Sequence, residues 1–156
     1  MQEFQVPTTP VEAEAHCADG ATYRGNIFLP ASKLTHEGPM LAEEWMNESD
    51  AFFPFKSDAL DSPLILNKAD LMALTVPAPP EPEVDPGDGP LLEHRQVAVE
   101  CGAMRLQGKV TLDMPAENLR VLDFLNRSEP FLSLIDGDRQ HLVRRSAITR
   151  VFESRT

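Results

Sequence analysis

From Val97 onward apolar and polar positions alternate, with Val97, Val99 and Cys101 on one face of an extended segment. After Gly102-Ala103 the alternation resumes through Met104, Leu106, Val110 and Leu112, predicting two strands joined by a tight hairpin turn. The same pattern occurs earlier. Val11, Ala13, Ala15 and Cys17 precede Asp19-Gly20, a strong hairpin signal, and Ala21, Tyr23, Ile27 and Leu29 follow it. Gly25 and Gly108 fall at inward-facing positions of the second strand, where glycine marks a bulge or a sharp bend.

Beyond each hairpin the period changes. Leu119, Leu122 and Leu125, joined by Val121 and Phe124, predict a short helix. Its earlier counterpart starts with Pro39 in the first turn, ahead of Met40, Leu41, Trp45 and Met46. Two twelve-residue phrases then resemble each other, "EWMNESDAFFPF" at 44–55 and "DFLNRSEPFLSL" at 123–134. Asn47 and Asn126 fall where each helix ends, a position that often takes left-handed backbone. Ser49 and Ser128 suit the turn that follows, and Phe52 and Phe131 open short buried strands. Last, "PLILNKADLMALTV" and "HLVRRSAITRVF" each predict two brief strands around a tight turn, at Ala69 and Ser146 respectively.

Three blocks recurring in one order predict an internal duplication. "YRGNIFLP" aligns with "LQGKVTLD", setting Gly25 against Gly108 and Ile27 against Val110, and the tails set Leu71 against Ile148. The expected organisation is a first copy at 1–76, a linker at 77–92 and a second copy at 93–156. The linker opens with "PAPPEPEVDPGDGP", six of whose residues are proline. Without those N–H groups it builds neither a helix nor an interior strand, and a semi-rigid extended connector is expected. Copies of this size have small cores, so they should pack on each other or dimerise, with strand-edge pairing as a natural route.

The order of hairpin, excursion, strand, strand, tight turn and last strand resembles SH3-like and Sm-like small barrels. "HLVRRSAITRV" resembles the last two strands of an Sm-like domain. The fold class this implies is mainly β with short helices, as two tandem small β-barrels related by duplication. The resemblance also implies RNA bases bound by an aspartate and an asparagine after the second strand. Asp113 and Asn118 occupy that region at a different spacing and without a stacking aromatic, so RNA binding is not carried over. The repeated phrase resembles uncharacterised bacterial domains, which implies no activity. Asn126-x-Ser128 with Arg144-Arg145 resembles a bacterial cyclic-dinucleotide receptor motif, but the order is reversed and Phe131 replaces its glycine.

Composition narrows the function classes. A formal net charge of -11 opposes a nucleic-acid footprint. The charge is uneven. Residues 1–76 hold 12 acids and 4 bases, whereas residues 94–156 hold 8 acids and 10 bases. No signal peptide or apolar span of membrane length is evident, so the expected location is cytoplasmic. Cys17 and Cys101 read as reduced, buried small hydrophobes. His16, His36, His94 and His141 lack metal-ligand spacing, and no catalytic constellation appears, so neither metal, cofactor nor enzymatic activity is expected.

Arginine is the remaining candidate chemistry. Arg120, Arg127, Arg144 and Arg145 offer forks suited to carboxylates and phosphates. The leading expectation is a non-enzymatic cytoplasmic adaptor that binds a protein partner or itself. The alternative is a sensor holding a small anionic ligand on these arginines, and RNA binding is a more remote third.

Overall fold

The computed structural model of the protein describes residues 8–31, 38–80, 93–112 and 121–153. Asp113, Asn118, Leu119, Arg120, His36 and most of the linker lie outside the described residues. In chain order the elements are β1 (Thr8–Cys17), β2 (Thr22–Pro30), α1 (Ala42–Met46), β3 (Phe52–Ser57), β4 (Leu64–Asn67) and β5 (Leu71–Pro77). They are followed by β6 (Glu93–Cys101), β7 (Met104–Leu112), α2 (Val121–Leu125), β8 (Phe131–Asp136), β9 (Arg139–Arg144) and β10 (Arg150–Glu153). One-turn 3-10 helices at Lys68–Asp70 and Arg145–Ala147 link β4 to β5 and β9 to β10.

The protein is mainly β, and its strands form one antiparallel sheet in the order β10-β6-β7-β8-β9-β5-β1-β2-β3-β4. Within each half the order is fifth, first, second, third, fourth strand. Pairing registers also correspond. Phe52 faces Asn67 and Phe131 faces Arg144, while Ala15 faces Leu74 and Val99 faces Val151. The sheet does not close on itself, because β4 and β10 are the terminal strands of the order and do not pair with each other.

The halves join where β5 pairs β9, with Leu74 opposite Leu142 and Thr75 opposite His141. Alternation puts each half's inward residues into its own apolar cluster. The first cluster contains Ala15, Ile27, Met46, Phe53 and Phe55, and the second contains Val99, Val110, Phe124 and Leu134. The junction exchanges residues between them. Phe131 and Leu142 of the second half pack into the first cluster, while Ala73 of the first half packs into the second.

Local chemistry explains the turns. Gly20 at φ 92°, Gly102 at φ 59° and Gly137 at φ 61° provide the left-handed backbone of the β1–β2, β6–β7 and β8–β9 hairpins. At Gly25 the reason is different: a Cβ there would overlap the Lys56 carbonyl oxygen where β3 crosses β2. At Gly108 it would lie 2.9 Å from the Ile135 carbonyl oxygen on β8. Close backbone approach, rather than a bulge, is what these two positions require.

Three local expectations need correction. Pro39 precedes the first helix, bridging to Ala31, and Leu41 caps that helix. On α2 the buried residues are Val121 and Phe124, while Leu122 is exposed. Asn47 takes φ −89° and ψ 1°, not left-handed backbone, and no described non-glycine residue has positive φ.

Candidate functional site

The two copies of the repeated phrase line one cleft of about 560 Å³ at the junction. The turn after α1 contributes Asn47 and Ser49, and the turn after α2 contributes Arg127, Ser128 and Phe131. The two 3-10 turns complete it with Lys68, Arg144 and Arg145. Of the tentative binding residues, Arg127, Arg144 and Arg145 are therefore brought together, and Arg120 lies outside the described residues. Phe52 is exposed at the start of β3 rather than buried, and the two strand glycines sit within the sheet away from this cleft.

Most polar groups of the cleft serve the fold. Asn47 works as a two-way clamp: its Oδ1 accepts from the Phe131 amide at 2.8 Å, and its Nδ2 donates to the Phe131 carbonyl at 3.2 Å. The same Nδ2 donates to the Glu43 carbonyl at 3.0 Å, so one side chain ties the end of α1 to the first residue of β8. Arg144 crosses the junction in the other direction, its Nε donating to the Leu71 carbonyl at 2.7 Å.

Arg145 and Lys68 do equivalent work in the two halves. A helix leaves its last carbonyls without intrahelical partners, and cations near that end satisfy them. Arg145 donates from Nη2 to the Phe124 carbonyl at 3.1 Å and from Nε to the Leu125 carbonyl at 3.2 Å. It also bonds the Glu129 carbonyl, and its guanidinium lies 5.5 Å from the Phe124 ring centroid. Arg127 stands over the same ring at 5.4 Å. Lys68 Nζ donates to the carbonyls of Trp45 at 3.4 Å and Glu48 at 3.2 Å. Burial lowers the pKa of both cations, opposed by Glu129 at Arg145 and by Asp50 and Glu48 at Lys68.

A second cleft of about 600 Å³ runs along the junction, walled by Glu14, Arg24, Thr75 and Arg139. Glu14 gathers His16 Nε2 at 3.1 Å, Arg24 Nε at 3.4 Å and Arg139 Nη2 at 3.6 Å, so the carboxylate draws on both halves. Beside it Thr75 Oγ1 and His141 Nδ1 meet at 2.8 Å, buried. Desolvation lowers the pKa of His16 and of His141, against the pull of Glu14 and Asp136 respectively. Cys101 is buried as expected but Cys17 only half-buried; desolvation raises both thiols, helped at Cys17 by Asp19 and Asp70, which lowers their reactivity. Among the described residues no group of His, Cys, Asp or Glu is arranged to hold a metal ion, and no helix is long and apolar enough to cross a membrane.

Among the described residues the exposed large apolar side chains lie at the two helices, Leu41 and Leu122, and toward the ends of the sheet. Phe52, Leu60 and Ile65 cluster around β3 and β4, and Phe152 stands on β10. Sequence reasoning missed these, along with Lys68 and the Glu14–His141 seam. One signal was available: "LIL" at 64–66 places apolar side chains on both faces of a strand, so one of them must face outward. No family model, curated protein or solved structure matches the chain.

Proposed function

We propose that this protein is a non-enzymatic cytoplasmic adaptor, built from two duplicated small barrel-like units, that engages protein through the two ends of its sheet. The observation that carries this reading is the exposed Ile65 on a terminal strand, flanked by exposed Phe52 and Leu60. A terminal strand displays unpaired N–H and C=O groups, and folded proteins usually blunt it with charge, proline or a bulge. The residues of β4 are Leu64, Ile65, Leu66 and Asn67, with no charge among them. Main-chain pairing to such an edge gives affinity, and the adjoining side chains give specificity.

The alternative of an anion sensor gains less support. Arg144 and Arg145 already serve carbonyls of the fold, and Glu48, Asp50 and Glu129 share their cleft. Photo-cross-linking residues placed at 65, 152 and, as a control, at the exposed Arg24 position test the reading in living cells. Discrete protein adducts from 65 and 152 but not from 24 are expected. No adduct from either end would sink the proposal.

A further inference from the structure

The internal β5–β9 junction has two unsatisfied counterparts elsewhere in the molecule, one at each end of the sheet. By the correspondence that sets Leu71 against Ile148, β10 is the equivalent of β5. By the register that equates Phe52–Asn67 with Phe131–Arg144, β4 is the equivalent of β9. At the junction a fifth strand of one half pairs a fourth strand of the other, and the ends of the sheet carry the remaining fourth strand and the remaining fifth strand. The two ends are thus the two different sides of one contact.

Exposure follows this correspondence. Leu142 is 0% exposed at the junction, while its counterpart Ile65 is 74% exposed. Phe131 is 2% exposed and its counterpart Phe52 is 57% exposed; Thr75 is 3% exposed and its counterpart Phe152 is 47% exposed. At these three positions a residue covered inside the chain answers to an apolar residue left open at an end, whereas covered Ala73 and Val76 answer to the charged Arg150 and Glu153. The clamp follows too, for Asn126 corresponds to Asn47, whose side chain grips Phe131.

We infer that the occupant of each end is a second copy of this chain: β10 of one molecule pairs antiparallel with β4 of the next, repeating the β5–β9 contact. Carrying the register across sets Val151 opposite Ile65, from Leu74 opposite Leu142, and Phe152 opposite Leu64, from Thr75 opposite His141. Both pairs are apolar cross-strand neighbours, the unit by which sheets are stabilised. The contact is heterologous, so it propagates head to tail and closes into a ring where the rotation allows. A cleft of about 440 Å³ at β10, walled by Gln96, Arg105, Gly108, Phe152 and Glu153, would receive the loop before β4, as the larger junction cleft receives Asp138 and Arg139.

Self-docking rests on the edge-binding reading above, and the test separates the two. Sedimentation velocity is run on the full chain, on Ile65→Lys, on Phe152→Lys and on their equimolar mixture, with circular dichroism to show that each is folded. Wild type is expected as assemblies of two or more chains, and each variant as single chains. The mixture should recover a two-chain species and nothing larger, because it holds one intact β4 docked on one intact β10. Self-docking is overturned by single-chain wild type at every concentration, by either variant assembling like wild type, or by a mixture that stays single-chain. Dimers of one variant alone overturn the head-to-tail arrangement. If a lysine variant unfolds, amide exchange on wild type decides: β4 and β10 must gain protection on concentration. Single-chain wild type with foreign-protein adducts at 65 removes self-docking and leaves edge binding standing.

Discussion

The two halves of the sheet solve one local problem with different residues. Each short helix ends against a 3-10 turn, and each turn presents a cation to the helix's last carbonyls. In the first half Lys68 reaches two carbonyls at 3.2–3.4 Å, whereas in the second Arg145 reaches carbonyls of α2 at 3.1–3.2 Å and also caps an aromatic ring. A point charge on a flexible stem serves one end and a planar fork the other. Each half requires a donor at that place, and the second half depends on it more heavily. Strand crossing differs in the opposite sense: β3 runs closer over Gly25 than β8 does over Gly108.

Each of these pairs can be disrupted one residue at a time. Gly25→Ala should be the most damaging, about 3 kcal/mol or more, because the obstruction is backbone and cannot rotate away. Gly108→Ala meets its nearest atom at 2.9 Å and should cost about 1–2 kcal/mol by urea denaturation. If the two proved equal, the unequal crossing would be wrong. Next, Arg145→Ala should cost about 2–3 kcal/mol and Lys68→Ala about 1 kcal/mol, reflecting how many carbonyl contacts each removes.

Asn47→Ala should follow at about 1–2 kcal/mol, because it removes the donor bonded to the Phe131 carbonyl at 3.2 Å, leaving only Arg145 Nη1 at 3.4 Å, and the acceptor bonded to its amide. Asn126→Ala should cost less in the isolated chain, and thermal melting of the two variants side by side checks the order. Acidification should act last and at the junction. His16 and His141 have pKa values below their unfolded 6.5, so the unfolded chain binds protons first. Their contribution is intact above about pH 6.5 and fades as the pH falls below it. His141→Gln should flatten the acid limb of a stability–pH profile. An unchanged limb would show that the Thr75–His141 contact does not report on pH.

Much of the local structure was legible in the chain. Alternation located the strands of the β1–β2 and β6–β7 hairpins, and Asp19-Gly20 and Gly102-Ala103 located their turns. The helix faces were not legible, because five residues span little more than one turn and give periodicity nothing to repeat. Asn47 was placed correctly at a helix end but given the wrong task, since its partner Phe131 lies 84 residues away. The arginines suggested an anion site because sequence shows charge but not the carbonyls that surround it. Strand composition anticipated a β protein. Strand-edge pairing between the copies was expected, but nothing in local pattern specifies that the strands to meet are β5 and β9.

The crossing from β5 to β6 gives the middle of the molecule a thermodynamic character of its own. Fifteen residues, 78–92, join strands four places apart in the sheet. That gap is about 19 Å at the usual strand spacing, well within the roughly 50 Å reach of the segment. The tether holds the two sides of the junction at an effective concentration of the order of millimolar, whatever the amount of protein present. The β5–β9 contact is therefore indifferent to dilution. The same kind of contact made between chains would be bimolecular and would rise and fall with abundance, so one surface chemistry would serve as a permanent bond in the middle and a dosage-dependent one at the ends.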